Sequence, residues 1–159
     1  MVRPMVLGIL VSVVAASSLQ AQTPAAPAEP AAAAQAAPPN ARLFTSDAGL
    51  FLVFIKPDKT ADYEAVMAKL KEALQESDKP ERKQQAASWK VFKSADPAGA
   101  NALYVITVDP AVKGADYDVV NVLTEAFPAE AQALYNQYVA SLAQGLNIVN
   151  LTLVHHFGQ

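Results

Sequence analysis

Two stretches of the chain are apolar on both alternations, and they are nearly the same stretch. Leu50–Ile55 is apolar on both alternations, Leu50, Leu52 and Phe54 on one and Phe51, Val53 and Ile55 on the other. That pattern predicts a strand covered on both faces. Shifted by fifty-three positions, Leu50–Pro57 aligns with Leu103–Pro110, so Ala102–Val108 reads as a second strand of the same kind. One loop residue later, Ala61-Asp62-Tyr63-Glu64-Ala65-Val66 aligns with Ala115-Asp116-Tyr117-Asp118-Val119-Val120. An echo spanning strand, proline and helix start predicts two βα halves.

The remaining pattern fills in those halves. Tyr63, Val66, Met67, Leu70 and Leu74 recur at helical spacing, with Thr60 as the expected N-cap and a stop before Ser77-Asp78-Lys79-Pro80. Glu81–Ala87 is polar throughout and is expected to be a loop or a frayed extra turn. Ser88–Ser94 predicts a weaker strand whose lysines suit an edge. Tyr117–Ala126 begins the second helical region, Pro128 interrupts it, and Ala131, Leu134, Tyr135, Tyr138 and Leu142 form the next stripe. Gly145 is the expected C-cap, and Asn147–Phe157 predicts the last strand.

The order βαββαβ predicts an α+β, ferredoxin-like fold with a four-stranded antiparallel sheet in the order 4-1-3-2. That order places the two most apolar strands in the centre. Helices then cover one face, and the other displays more apolar surface than a monomer tolerates. The expected cover is a second copy, sheet against sheet, making a homodimeric α/β barrel. The competing expectation is that Leu43, Phe44 and the preceding segment fold back over this face.

Composition adds an address. Residues 1–21 have a signal-peptide layout: Arg3, an apolar core over Met5–Ala16, and a small-residue cleavage site at Leu19-Gln20-Ala21. Residues 22–47 are an Ala/Pro-rich tether and lead-in, and 48–159 the folded domain. A periplasmic or secreted protein is expected, with no membrane attachment after cleavage. The net charge of -3 gives no electrostatic case for nucleic acid. The chain has no cysteine, so neither disulfide nor thiolate chemistry is open to it.

The strand end Phe54-Ile55-Lys56-Pro57, Tyr63, the segment Ser88-Trp89-Lys90-Val91-Phe92 and the strand Leu103–Val108 resemble the dimeric α/β-barrel superfamily. That superfamily includes antibiotic-biosynthesis-type monooxygenases, EthD-like proteins and stress-responsive barrels. Lys113-Gly114-Ala115-Asp116-Tyr117 with Glu125-Ala126-Phe127-Pro128 is similar to uncharacterised exported bacterial proteins. The resemblance implies a homodimer, and a fold that serves both catalysis and plain ligand binding.

Candidate chemistry is sparse. His155 and His156 are adjacent, so on a strand they point to opposite faces and cannot chelate one metal together. One of them is a candidate haem ligand or base, as in relatives of this fold. The blander reading is a solvated strand-end pair. Trp89 and Tyr104, with Tyr135 and Tyr138, are candidate walls of an aromatic pocket between sheet and helices, with Asn150 or His155 as its polar groups. Ordinary core is the competing reading, above all for Tyr135 and Tyr138. Asp62/Glu64 and Asp116/Asp118 are expected as helix first-turn acids. No metal and no cofactor is expected.

The leading expectation is an exported module that binds a small apolar molecule or a protein partner. The alternative is a cofactor-independent monooxygenase-like or haem-handling enzyme using a histidine beside Trp89. An open, histidine-lined cavity between sheet and helices favours the enzyme, and a filled one does not.

Overall fold

The computed structural model describes residues 40–96 and 98–158. The expected signal peptide and almost all of the expected tether lie outside the described residues. The elements run β1 (Ala48–Ile55), α1 (Thr60–Glu76), α2 (Pro80–Ser88), β2 (Trp89–Lys93), β3 (Ala102–Val108), α3 (Val119–Ala126), α4 (Ala131–Ser141) and β4 (Asn147–Leu151). The class is α+β. The strands form one antiparallel sheet in the order β2-β3-β1-β4, which is the order 4-1-3-2 read from the other edge.

The apolar duplicates are central and paired to each other, Phe51 opposite Ile106 and Val53 opposite Tyr104. On β1 every second residue is buried: Gly49, Phe51, Val53 and Ile55. Their neighbours on β3 are Tyr104, Ile106 and Val108. Tyr63, Val66, Leu70 and Leu74 of α1, Val119, Val122 and Leu123 of α3, and Leu134 and Tyr138 of α4 complete one continuous core on that side.

The strand half of the echo holds, and the helix half does not. Tyr63 lies in the first turn of α1, whereas α3 begins only at Val119. Asp118 is its N-cap, accepting from the backbone N–H groups of Val120 and Asn121 at 2.9 and 3.1 Å. Thr60 is the first residue of α1 and caps nothing, because a 3₁₀ turn over Pro57–Lys59 leads into the helix.

Three further expectations are corrected. Glu81–Ala87 belongs to a helix, α2, with Pro80 in its first turn. The stripe that α2 buries is Arg82, Gln85 and Ser88, which is helical in spacing but polar, so hydrophobic periodicity does not reveal it. α4 ends at Ser141, four residues before Gly145. Its last turn is closed by the Ser141 hydroxyl donating to the Tyr138 carbonyl at 2.6 Å. β4 stops at Leu151, opposite Ala48, the first residue of β1. Beyond that point no strand among the described residues offers a partner.

The lead-in is pinned to the body. Phe44 packs edge-on against Phe51 and Tyr117, each with ring centroids 5.1 Å apart. Its ring lies over Gly49, where an added Cβ would fall 2.1 Å from a ring carbon, so the position has no room for any side chain.

Candidate functional site

The space between sheet and helices is largely filled, save a partly open hollow of about 140 Å³ between α1, α2 and β2, lined by Leu70, Leu74, Ala86, Trp89 and Val91 and by no histidine. Trp89 stacks on Phe51 at 6.4 Å and tilts against Tyr117 at 5.2 Å, while Tyr63 lies 4.6 Å from Tyr104 and 6.3 Å from Tyr138. The residual gap bordered by Arg42, Phe51, Trp89, Tyr117 and Tyr138 is about 10 Å³. That is about the room one water needs and far below a substrate pocket.

The five residues singled out from the sequence are not brought together. Trp89 is core. Tyr104 is buried, and its hydroxyl donates to Glu64 at 2.5 Å at the surface end of the aromatic layer. Lys93 reaches the same Glu64 oxygen at 2.9 Å. Hydrogen bonds from Lys93 and Tyr104 hold the Glu64 carboxyl below its usual range. Asn150 is exposed on β4, where its side-chain oxygen accepts from the Thr45 and Ser46 backbone at 2.8 and 3.4 Å and fastens the lead-in to the sheet edge. His155 and His156 lie on the exposed segment after β4, and His155 borders an open hollow with Asp47, Asp109, Lys113 and Leu151 rather than with any of the core aromatics. Of the other two aromatics, Tyr138 is core and Tyr135 is exposed. Burial pushes the Tyr138 phenol up to about 12.

A polar cluster that periodicity does not announce sits under α2. The Arg82 guanidinium, buried, donates through Nη1 to Gln85 Oε1 and to the Asp116 carbonyl, both at 2.7 Å, and through Nη2 to Glu125 at 3.0 Å. Gln85 adds a bond to the same carbonyl at 3.0 Å. Asp116 itself accepts from the Arg42 and Asp118 backbone, both at 2.8 Å, and from Asn121 at 2.7 Å. Arg42 closes the ring on Asp118 at 2.7 Å. Asp116 and Asp118 are therefore loop and cap residues rather than an acid pair within a helix. Burial pushes the Glu125 carboxyl up, but Arg82 and Lys79 more than offset it and hold it below its usual range. The signal for this cluster was present in sequence: Lys113–Tyr117 and Glu125–Pro128 are the two segments that Arg82 ties together. Both Arg82 Nη atoms are partnered within the chain and only its buried Nε lacks an acceptor, which makes the cluster a brace.

What remains is the open face of the sheet. Strand pairing places Leu50, Leu52 and Phe54 of β1, Leu103 and Val105 of β3, Phe92 of β2, and Val149 and Leu151 of β4 on that side. Among the described residues no helix lies over them, because the helices share the core on the opposite side. Phe44, one candidate to fold back here, is committed to the covered side. Lys90 and Asn147 mark two edges of the patch.

No family model, curated protein or solved structure matches this chain. Among the described residues no cluster of three or more His, Cys, Asp or Glu side chains is placed to hold a metal, and no helix is long and apolar enough to cross a membrane.

Proposed function

We propose that this protein is an exported, non-catalytic interaction module of the dimeric α/β-barrel type, in which two ferredoxin-like protomers close their open sheet faces against each other. The observation that carries the reading is that face, with Leu50, Leu52, Phe54, Leu103 and Val105 at its centre and nothing among the described residues packed on it. Apolar surface of this extent is stabilised by a partner. A second copy offers the same surface by symmetry. A small apolar ligand, where one is bound, belongs between the two sheets rather than between sheet and helices. The enzyme alternative finds less support, since no histidine lines either space beside Trp89 and both histidines are exposed.

Light scattering at micromolar concentration tests the assembly, and a dimeric mass is expected. A monomeric mass would refute it. Native mass spectrometry of the same sample reads any ligand as a defined extra mass on the dimer.

A further inference from the structure

The last turns of α1 and α3 meet the first turn of α2 around an open hollow of about 370 Å³. Ala73 and Val122, both buried, and the ring of Phe127 give it an apolar floor. Glu72, Glu76, Asp78 and Glu125 stand around it with Lys79 and Arg82.

One buried donor at this hollow has no acceptor. The Arg82 side chain is only 7% exposed, and its Nε–H is the unpartnered group of the brace. Nε and Nη2 share one edge of a guanidinium plane. Nη2 donates to Glu125, which lines the hollow, so the Nε–H is aimed the same way. Three hydrogen bonds from the two Nη atoms fix the plane, and the donor cannot turn elsewhere. A buried donor without a partner is costly, and an acceptor completes it.

The charge around the hollow sets the kind of molecule that can bring that acceptor. Four carboxylates face two cations. Glu125 is held by Lys79 and Arg82, each at 3.0 Å, and Glu72 by Lys69 at 3.2 Å. Glu76 and Asp78 have no ion-pair partner among the described residues. α1 and α3 both end here with no basic residue in the last turn, so two negative helix ends add to the excess. A free anion is repelled. A metal ion is no better served, since among the described residues no three such carboxylates are gathered closely enough to hold one.

We propose that the hollow binds a small organic cation carrying a hydrogen-bond acceptor a few atoms from its ammonium group. The ammonium faces Glu76 and Asp78, the acceptor takes the Arg82 Nε–H, and an apolar substituent lies on the floor. Amino-acid amides, amino alcohols and amino sugars are of this class. The site is on the helical side of the sheet, so it stands whether or not the open faces pair.

Leucinamide is the probe, because it joins an ammonium, a carbonyl oxygen and an apolar side chain. It is titrated into isotope-labelled protein at low salt and about pH 6.5, where its amine is charged. The Arg82 Nε–H resonance and the amides of residues 76–82 and 125–127 are expected to move together, saturating with a Kd of about 1 mM. N-acetylleucinamide lacks the charge and 3-methylbutylamine lacks the acceptor, and each should bind about tenfold more weakly. Replacing the exposed pair, Glu76→Gln with Asp78→Asn, should weaken leucinamide about fivefold and leave the thermal transition unchanged. An Arg82 Nε–H that no probe moves is held by water alone and overturns the site. Equal affinity for N-acetylleucinamide makes the hollow merely apolar, and a response to acetate in place of leucinamide makes it an anion site. Either result overturns the proposal, as does unchanged affinity in the double variant.

Discussion

The two faces of the sheet use the same kinds of residue and meet opposite fates. On the covered face Phe51, Val53, Ile55, Tyr104, Ile106 and Val108 are buried under three helices and an aromatic layer. On the open face Leu50, Leu52, Phe54, Leu103 and Val105 are only partly shielded, by their neighbours in the sheet. Composition does not separate the faces; position relative to the helices does. The covered face makes the fold, and the open face is the one the proposed dimer would close.

The largest expected effect comes from placing one charge on each face in turn. Val53→Asp buries an unpaired carboxylate where the wild-type residue is fully inaccessible. The cost is several kcal/mol against a total stability of about 5–15 kcal/mol. Circular dichroism should show the loss of a cooperative thermal transition. Leu52→Asp, one residue earlier, should leave a folded protein with a cooperative transition and convert the dimer to a monomer by light scattering. If the two variants behave alike, the faces do not differ as argued.

How much of this could be read in the sequence divides along the same line. The strand order and the central place of β1 and β3 were legible because a run that is apolar on both alternations has few other uses. α2 was not, since its buried stripe of Arg82, Gln85 and Ser88 satisfies hydrogen bonds instead of excluding water. The late start of α3 was hidden because Asp116 and Asp118 read equally well as first-turn acids and as cap residues. The tail shows the limit from the other side. Val154 and Phe157 have strand character, but a strand needs a neighbour, and among the described residues the segment after Leu151 has none. The aromatics suggested a pocket because core and pocket share a vocabulary, and only the filled gap beside Trp89 separates them.

The covered side carries its own polar brace, and Arg82→Met measures it. The substitution keeps the stem and removes three hydrogen bonds, leaving Gln85 and Glu125 short of partners. Because Glu125 is a third exposed and keeps Lys79, the expected loss is about 2 kcal/mol. That corresponds to a fall in Tm of about 10 °C for a domain of this size. The assembly state read by light scattering should match wild type, since nothing in the brace reaches the open face.

A smaller effect is expected from acid. The folded-state pKa of Glu125 is depressed, so its contribution is present above the unfolded carboxyl value near 4.5 and is lost as pH falls through the folded value. Glu125→Gln should therefore lower the urea midpoint at pH 7. The gap to wild type should close progressively below about pH 4.5. A gap that stays constant with pH would mean that the ionised carboxylate is not what Arg82 and Lys79 stabilise.

The smallest effect has a sign that general expectation gets wrong. Tyr63 and Tyr104 are neighbours in the covered layer, with ring centroids 4.6 Å apart, and both rings are buried. Their hydroxyls differ. That of Tyr104 donates to Glu64, whereas that of Tyr63 is buried with no partner, and burial pushes its phenol far up. A hydroxyl taken out of water without a replacement bond costs about 1–3 kcal/mol, which its removal returns to the folded state. Tyr63→Phe should accordingly raise the unfolding free energy read from urea titration, by about 1 kcal/mol once the small void left by the oxygen is counted. Tyr104→Phe breaks a bond to a charged group and should lower it by a similar amount. The two variants remove the same atom from adjacent rings, so packing cancels between them. A loss of stability in both would mean that the Tyr63 hydroxyl has a partner, and that the covered face holds at least one polar contact on which its packing depends.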